Sequence, residues 1–224
     1  MVKRDSFLKR LIHNMWNGEV KVITGIRRCG KSVMLFDLFY EYLLSQGVPE
    51  DHILKFELDQ RRYYKYRNPI TLCEYVEDAI CDKKEEKFYL FIDEVQNVAG
   101  FEEVINGFRS DGGFSIFITG SNSYLLSGEL VTKLTGRYVE FEMFTLSFEE
   151  YLEMKEFYGK SVDTNLSVEM NNYLLEGGFP KSLQFDDMTD KRTYVQSVIN
   201  EIFEKDIKKR IKLRNAEVFE KIRD

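Results

Sequence analysis

Cysteine, histidine and proline are scarce in this sequence: three, two and three residues among 224. Cys29, Cys73 and Cys81 form no CxxC pair, and His13 and His52 stand far apart. A zinc site and a disulfide framework are therefore not expected, and free thiols in a reducing cytoplasm are. No apolar run approaches the roughly 18–20 residues that a membrane span needs. The opening residues, MVKRDSFLKRLIHNMW, carry neither a long apolar core nor a small-residue cleavage site, so they do not read as a signal peptide. A basic excess is missing too. The net charge is −6, which argues against a dedicated nucleic-acid binder while leaving room for a local basic patch. Low-complexity segments and internal repeats are absent.

What is present suits a folded domain. Apolar residues make up 43% and charged residues 31%, enough apolar surface for a core and too little net charge for disorder. Residues 3–16 show an amphipathic helical stripe through Phe7, Leu8, Leu11, Ile12 and Met15. Strands are expected at 19–24, 53–58, 88–92, 114–118 and 137–144. Helices are expected at 31–45, 69–82, 101–109 and 124–134, and a polar, aromatic loop at 61–68. The run Phe88–Ile92 is apolar throughout, the pattern of a strand buried on both faces of a parallel sheet. After residue 145 the strand signals stop, and helices are expected at 147–157, 167–176 and 191–211, broken at Gly177-Gly-Phe-Pro180. Strands alternating with helices, then helices alone, imply an α/β parallel sheet with a helical appendage.

Two motifs carry chemistry. Gly25-Ile26-Arg27-Arg28-Cys29-Gly30-Lys31-Ser32 matches GxxxxGK[ST] in full, between an expected strand and an expected helix. Chance supplies such a match in about 1% of chains this long at average glycine usage. Its glycines let successive N–H groups turn inward as an anion nest, and the helix that follows adds free N–H groups and its positive dipole end. Lys31 is placed to reach the β- and γ-phosphates of a nucleotide, and the Ser32 hydroxyl to ligate Mg²⁺. The second motif, Asp93-Glu94, ends the buried strand at the edge where α/β sheets bind ligands. Asp93 there can hold the metal, and Glu94 can polarise a water for attack on the γ-phosphate. Alone, an acidic pair after a strand reads as a solvated turn; the phosphate loop changes that reading.

Weaker candidates follow. Thr119-Gly-Ser121-Asn122 either contacts the γ-phosphate, with Ser121 foremost, or is a plain turn. Arg137, after Gly136, is either a charge-stabilising finger, in cis or toward a neighbour, or a surface arginine. Arg27 and Arg28 add field to the phosphate site or are solvated. Residues 205–214 hold six basic residues among ten, beside an apolar stripe at Ile199, Phe203, Ile207 and Ile211. That face is either solvated or meets nucleic acid or an acidic partner.

Taken together, these residues resemble the prokaryotic AAA-like P-loop ATPases, related to the STAND and archaeal ATPases, that carry a C-terminal nuclease-like domain. The resemblance rests on Thr24–Ser32, Asp93-Glu-Val-Gln96, Thr119–Asn122, Leu134-Thr-Gly-Arg137, Leu146-Ser-Phe-Glu-Glu-Tyr151, Gly177–Pro180 and Asp206-Ile-Lys-Lys-Arg210, with the Leu-Ser-Phe-Glu-Glu and Gly-Gly-Phe-Pro blocks the narrowest. It implies a P-loop NTPase fold, with a five-stranded parallel sheet in the order 5-1-4-3-2 and a small helical lid. It also implies ATP as nucleotide, Mg²⁺ as cofactor, and Lys31, Ser32, Asp93 and Glu94 in the roles above. The expected division is an N-terminal helix at 1–17 packed on the core, the ATPase core at 18–145, the lid at 146–210 and the start of a further region at 211–224. Family members continue for another domain of comparable size, so the chain is expected to be a fragment or a truncated gene product. The expected function is Mg²⁺-dependent ATP hydrolysis coupled to a conformational change. The alternative is a nucleotide-controlled switch with slow hydrolysis, partnered by a second copy or another protein. A small-molecule kinase is disfavoured: no arginine-rich lid or acceptor motif is visible. Adenine over guanine comes from the resemblance, as no guanine-reading Asn-Lys-x-Asp occurs.

Overall fold

The computed structural model describes residues 2, 4–83, 85–120, 134 and 136–207. Five parallel strands form one sheet: β1 (Val20–Thr24), β2 (Ile53–Glu57), β3 (Phe88–Asp93), β4 (Phe114–Thr119) and β5 (Tyr138–Glu142). Their spatial order is β2-β3-β4-β1-β5, the expected 5-1-4-3-2 read from the other edge. Parallel pairing demands a crossover between strands. Helices α2 (31–45), α3 (Pro69–Ile80) and α4 (Phe101–Asp111) supply those from β1 to β4, and α1 (Asp5–Asn14) precedes β1. Three more follow the sheet: α5 (Phe148–Phe157), α6 (Leu166–Glu176) and α7 (Met188–Ile202), the last continued by a wider turn through Ile207.

Period-two alternation sorts the strand residues into two cores. Val22, Phe56, Leu90, Ile92, Ile116 and Ile118 face α3 and α4. Ile23, Tyr89, Phe91, Phe117 and Phe141 face α1 and α2. The second layer is aromatic. Phe39 of α2 sits 4.7 Å from Phe117 and 5.6 Å from Phe91, ring centre to ring centre. That explains why α2 is apolar nearly all round: Met34, Leu35, Phe36, Leu38 and Phe39 are buried, along a stretch wound as π-helix.

Lys21 places a cation in the strand pattern. It is buried at the second position of β1, where its Nζ donates to Met15 O at 2.9 Å and Glu19 O at 2.8 Å. It lies 4.9 Å from the centre of the Phe117 ring. The ammonium thus satisfies carbonyls beyond the C-terminal end of α1, where a cation is favoured.

Several boundaries differ from the expectation. Residues Arg61–Arg67 form 3₁₀ turns rather than a loop, with Tyr66 buried and Arg67 donating to Leu58 O at 2.8 Å. Helix α7 begins three residues before the expected 191, because the Asp187 side chain caps it through Thr189 N at 2.7 Å. Helix α5 starts at a capping box: Glu150 N donates to Ser147 Oγ at 3.2 Å, and Ser147 N to Glu150 Oε2 at 2.9 Å. The helix expected over 124–134 lies outside the described residues apart from Leu134, as do residues 211–224.

Helices α5 and α6 and the turn at Pro180–Gln184 share a cluster of their own, Leu146, Tyr151, Met154 and Leu183 with Tyr173 packed against it, joined by Val2 from the start of the chain. The N-terminal segment therefore touches both parts, with Val2 on the appendage and Phe7 and Leu11 on the sheet core. Among the described residues, no helix is long and apolar enough to cross a membrane.

Candidate functional site

At the C-terminal edge of β1 the chain leaves the sheet as a tight loop. Gly25, Arg28 and Gly30 all take positive φ, at 148°, 63° and 106°. A Cβ on Gly25 would lie 2.2 Å from Met143 O, so only glycine lets the loop pass the end of β5. Ile26 is exposed, Cys29 is buried, and burial pushes the Cys29 thiol pKa up. Lys31 follows at the start of α2. Its Nζ curls back over the loop, donating to Gly25 O at 2.8 Å and Ile26 O at 3.0 Å.

Strand β3 lies two strands away and ends at Asp93, beside the same helix start. Ser32 Oγ donates to Asp93 Oδ2 at 2.7 Å. The Thr119 hydroxyl, at the end of the intervening β4, donates to Asp93 Oδ1 and accepts from Glu94 N at 3.3 Å. Burial raises the Asp93 pKa above the usual carboxylate range, against the lowering effect of these two hydroxyls. The next residue, Glu94, is held at φ 52°, a left-handed conformation rare for a non-glycine residue. Its carboxylate accepts from Gln96 Nε2. Its pKa is also raised, first by burial and then by the Asp93 charge.

A hydroxyl and a carboxylate this close form a hard-oxygen donor pair suited to Mg²⁺, which takes few protein ligands and completes its shell with water and phosphate. Among the described residues no group of three or more His, Cys, Asp or Glu side chains could hold a metal unaided. The site therefore fits a cation shared with a phosphate ligand rather than a dedicated metal cage.

Beside the loop opens a cleft of about 540 Å³ between the sheet edge and the helical appendage. Gly30, Lys31, Ser32 and Glu94 line one side, and Met154, Phe157, Tyr158 and Tyr194 much of the other. A cavity of about 620 Å³ lies around Arg4 and Asp5 but is walled by Glu149, Glu150, Glu153 and Glu156, which oppose an anion.

The loop arginines point to the appendage. Arg27 makes a two-pronged pair with Asp206, Nε to Oδ2 at 2.9 Å and Nη2 to Oδ1 at 3.0 Å. Arg28 reaches Glu201 Oε2 through both Nε and Nη2, at 3.1 and 2.9 Å. Neither is simply solvated. Asp206 lies in the basic stretch of the sequence, where the surrounding lysines conceal the acid that matters. In the Thr119-Gly-Ser121-Asn122 motif, the Thr119 hydroxyl meets Asp93.

Ser121 lies outside the described residues. Arg137 is placed elsewhere. Its backbone carbonyl accepts from Val20 N, at the start of β1, and its guanidinium reaches Asn106 Oδ1 at 3.3 Å on the exposed surface. That is the N-terminal edge of the sheet, a strand's length of roughly 15 Å from the phosphate loop. The fold does not bring Arg137 to this chain's own site.

Comparison with known proteins agrees with this geometry. A family described as an AAA domain matches residues 17–152. An uncharacterized protein of Haemophilus influenzae is 34% identical over 224 residues, covering 99% of this chain and 54% of its own. One of Methanocaldococcus jannaschii is 30% identical over 233 residues, covering 100% and 48%. The chain thus spans about half the length of these curated relatives. Among solved structures, a Walker-type ATPase of Pyrococcus abyssi superposes with a TM-score of 0.60 at 17% identity, over 93% of this chain and 75% of that one. At that identity the likeness is one of fold: an α/β P-loop ATPase fold.

Proposed function

The chain belongs to the AAA domain family, and from that premise we propose that it binds ATP with Mg²⁺ and hydrolyses it to ADP and phosphate, coupling the cycle to movement of the helical lid. The observation that carries this reading is the 2.7 Å contact between Ser32 and Asp93, which joins the phosphate loop and the acidic strand end in one site. Ser32 and Asp93 would hold the cation. When bound, it would neutralise charge on the phosphate oxygens.

The residues of the chain then divide the work. The backbone of Gly25–Gly30 receives phosphate oxygens through its N–H groups. Lys31 exchanges its two loop carbonyls, Gly25 O and Ile26 O, for the β- and γ-phosphates. Glu94 accepts the proton of the attacking water, and its left-handed backbone turns it from the strand toward the cleft that it lines with Lys31. Thr119 keeps Asp93 and Glu94 in register. Arg27 and Arg28 lie on the loop yet are tied to Asp206 and Glu201, so a phosphate that competes for them loosens the last helix. Any contact of Arg137 with phosphate is made in a neighbouring copy.

These same ties favour a second reading, a nucleotide-controlled switch in which hydrolysis is slow and binding does the work. A protein partner or a second copy would read the lid position in either case. A cytoplasmic setting goes with both, as ATP and reduced thiols are found there.

The test is MgATP binding and phosphate release by the parent, Lys31→Ala and Glu94→Gln. Lys31→Ala is expected to abolish binding. Glu94→Gln is expected to bind ATP and to release phosphate about 10²–10⁴-fold more slowly. Equal binding by Lys31→Ala would sink the site. Rates that do not change in Glu94→Gln, with binding intact, would leave the switch.

A further inference from the structure

Arg4 stands outside every motif, yet its guanidinium joins three separate parts of the molecule. Nη1 donates to Cys29 O of the phosphate loop at 3.1 Å. Nη2 donates to Phe144 O at 3.0 Å and Thr145 O at 3.2 Å, in the connection between sheet and lid. Nε donates to Glu150 Oε1 of α5 at 3.0 Å. The other oxygen of Glu150 closes the α5 capping box, so both partners are fixed. The Arg4 side chain is 11% exposed. Its backbone is held at φ 48°, a strained conformation for arginine that persists because the surrounding contacts over-determine it.

The contact with Cys29 has a consequence for the loop. In a trans peptide the C=O and the next N–H point in opposite directions, and the described chain has no cis peptide. A Cys29 carbonyl held toward Arg4 therefore aims the Gly30 N–H away from Arg4. Gly30 lines the nucleotide cleft. Glycine at position 30, with φ 106°, makes the reversed orientation of this peptide easy to reach. A reversed peptide would turn a carbonyl rather than an N–H toward a phosphate.

We infer that Arg4 is a positioning residue for nucleotide binding: through Cys29 O it locks the Cys29–Gly30 peptide in the anion-accepting orientation, and Phe144 O and Thr145 O hold the guanidinium in place for that contact. The inference rests on the phosphate-loop reading above. The lock comes from a residue distant in sequence, and Arg4 touches no ligand itself.

The experiment measures MgATP affinity, KM and kcat, and the unliganded thermal midpoint for the parent, Arg4→Ala, Arg4→Lys, Glu150→Gln and Lys31→Ala. Arg4→Ala is expected to weaken MgATP binding about tenfold, the loss of roughly one charge-assisted hydrogen bond. The loss should fall on KM more than on kcat. Arg4→Lys, with one ammonium in place of a fork, should recover part of it. Glu150→Gln keeps the cap and the Cys29 contact, and should change affinity less than threefold. A residue that merely glues the lid to the core would make Glu150→Gln as damaging as Arg4→Ala, or would lower the thermal midpoint while leaving affinity untouched. Either result overturns the inference. Should Arg4→Ala fail to fold, Arg4→Lys decides, and parental affinity in it is an overturning result. If Lys31→Ala loses binding while Arg4→Ala binds like the parent, only this inference falls. If the parent itself binds no nucleotide, the phosphate-loop reading falls and takes the inference with it.

Discussion

Arg27 of the phosphate loop and Asp206, in the wider turn that continues α7, face each other as a parallel two-pronged pair, at 2.9 and 3.0 Å, across 179 positions of sequence. Their side chains are 20% and 11% exposed, so the pair is partly shielded from solvent and stronger than a typical surface ion pair. Next to it Arg28 holds Glu201, which also accepts from Lys205 at 2.6 Å. The loop that would receive phosphate is thus held by carboxylates that compete with phosphate for the same guanidinium groups.

This arrangement predicts that nucleotide and Asp206 oppose one another. MgATP should increase hydrogen–deuterium exchange of the amides in 198–207 as Arg27 turns to phosphate. Asp206→Asn should show the faster exchange without nucleotide, because it retains the shape and loses the charge. The expected change in the local opening equilibrium is about tenfold, near 1.4 kcal/mol. Parental exchange in Asp206→Asn would show that the pair does not hold the helix.

Legibility followed distance along the chain. The loop Gly25–Ser32 was readable because eight adjacent residues carry its chemistry, and Asp93-Glu94 because a buried apolar strand announces its own end. The strand order was readable only through the family resemblance, as periodicity says which residues share a face but not which strands adjoin. The contacts of Arg4 with Cys29 and Glu150 span 25 and 146 positions, and no local pattern marks them. Arg137 shows the converse. Its place at the start of a parallel strand already put it at the edge away from the phosphate loop, since every strand of such a sheet runs the same way. Its residue type suits a phosphate contact, but its position before β5 sets it at the opposite edge of the sheet.

The two glycines of the Gly-Gly-Phe-Pro block are predicted to differ in their tolerance of a methyl group. A Cβ on Gly178 would meet Leu146 O at 2.7 Å and Thr145 Oγ1 at 2.9 Å, where Leu146 N donates to Gly178 O at 2.8 Å. Space explains this glycine. Gly177 ends α6 with φ 75° and open space around it, so conformation explains that one. Gly178→Ala must part the connection from α6 and should cost about 2–3 kcal/mol, whereas Gly177→Ala, at φ 75° and ψ 175°, should cost about 1–2 kcal/mol from backbone strain alone. Urea denaturation of both variants checks the order. Gly177→Ala proving the more damaging would refute the close-approach argument.

Lys21 gives the last prediction, on stability against pH. Burial lowers its pKa from the ordinary 10.5 to about 8, against a smaller raising effect of Glu19. Between these two values the unfolded chain holds a proton on Lys21 that the folded chain has released. Stability rises with pH wherever the unfolded state binds more protons, so this residue adds stability as pH climbs from about 8 toward 10.5. Below pH 8 the folded state carries the buried charge, and the hydrogen bonds to Met15 O and Glu19 O are what make that tolerable. Tyrosines titrate near the top of this window, so the contribution is read as a difference. The gap in unfolding free energy between parent and Lys21→Met is expected to move in the parent's favour by about 1–2 kcal/mol between pH 8 and pH 9.5, measured by urea denaturation at constant ionic strength. A gap that stays constant across that range would mean that Lys21 keeps its ordinary pKa inside the sheet, and that its two carbonyl partners and the Phe117 ring outweigh its desolvation.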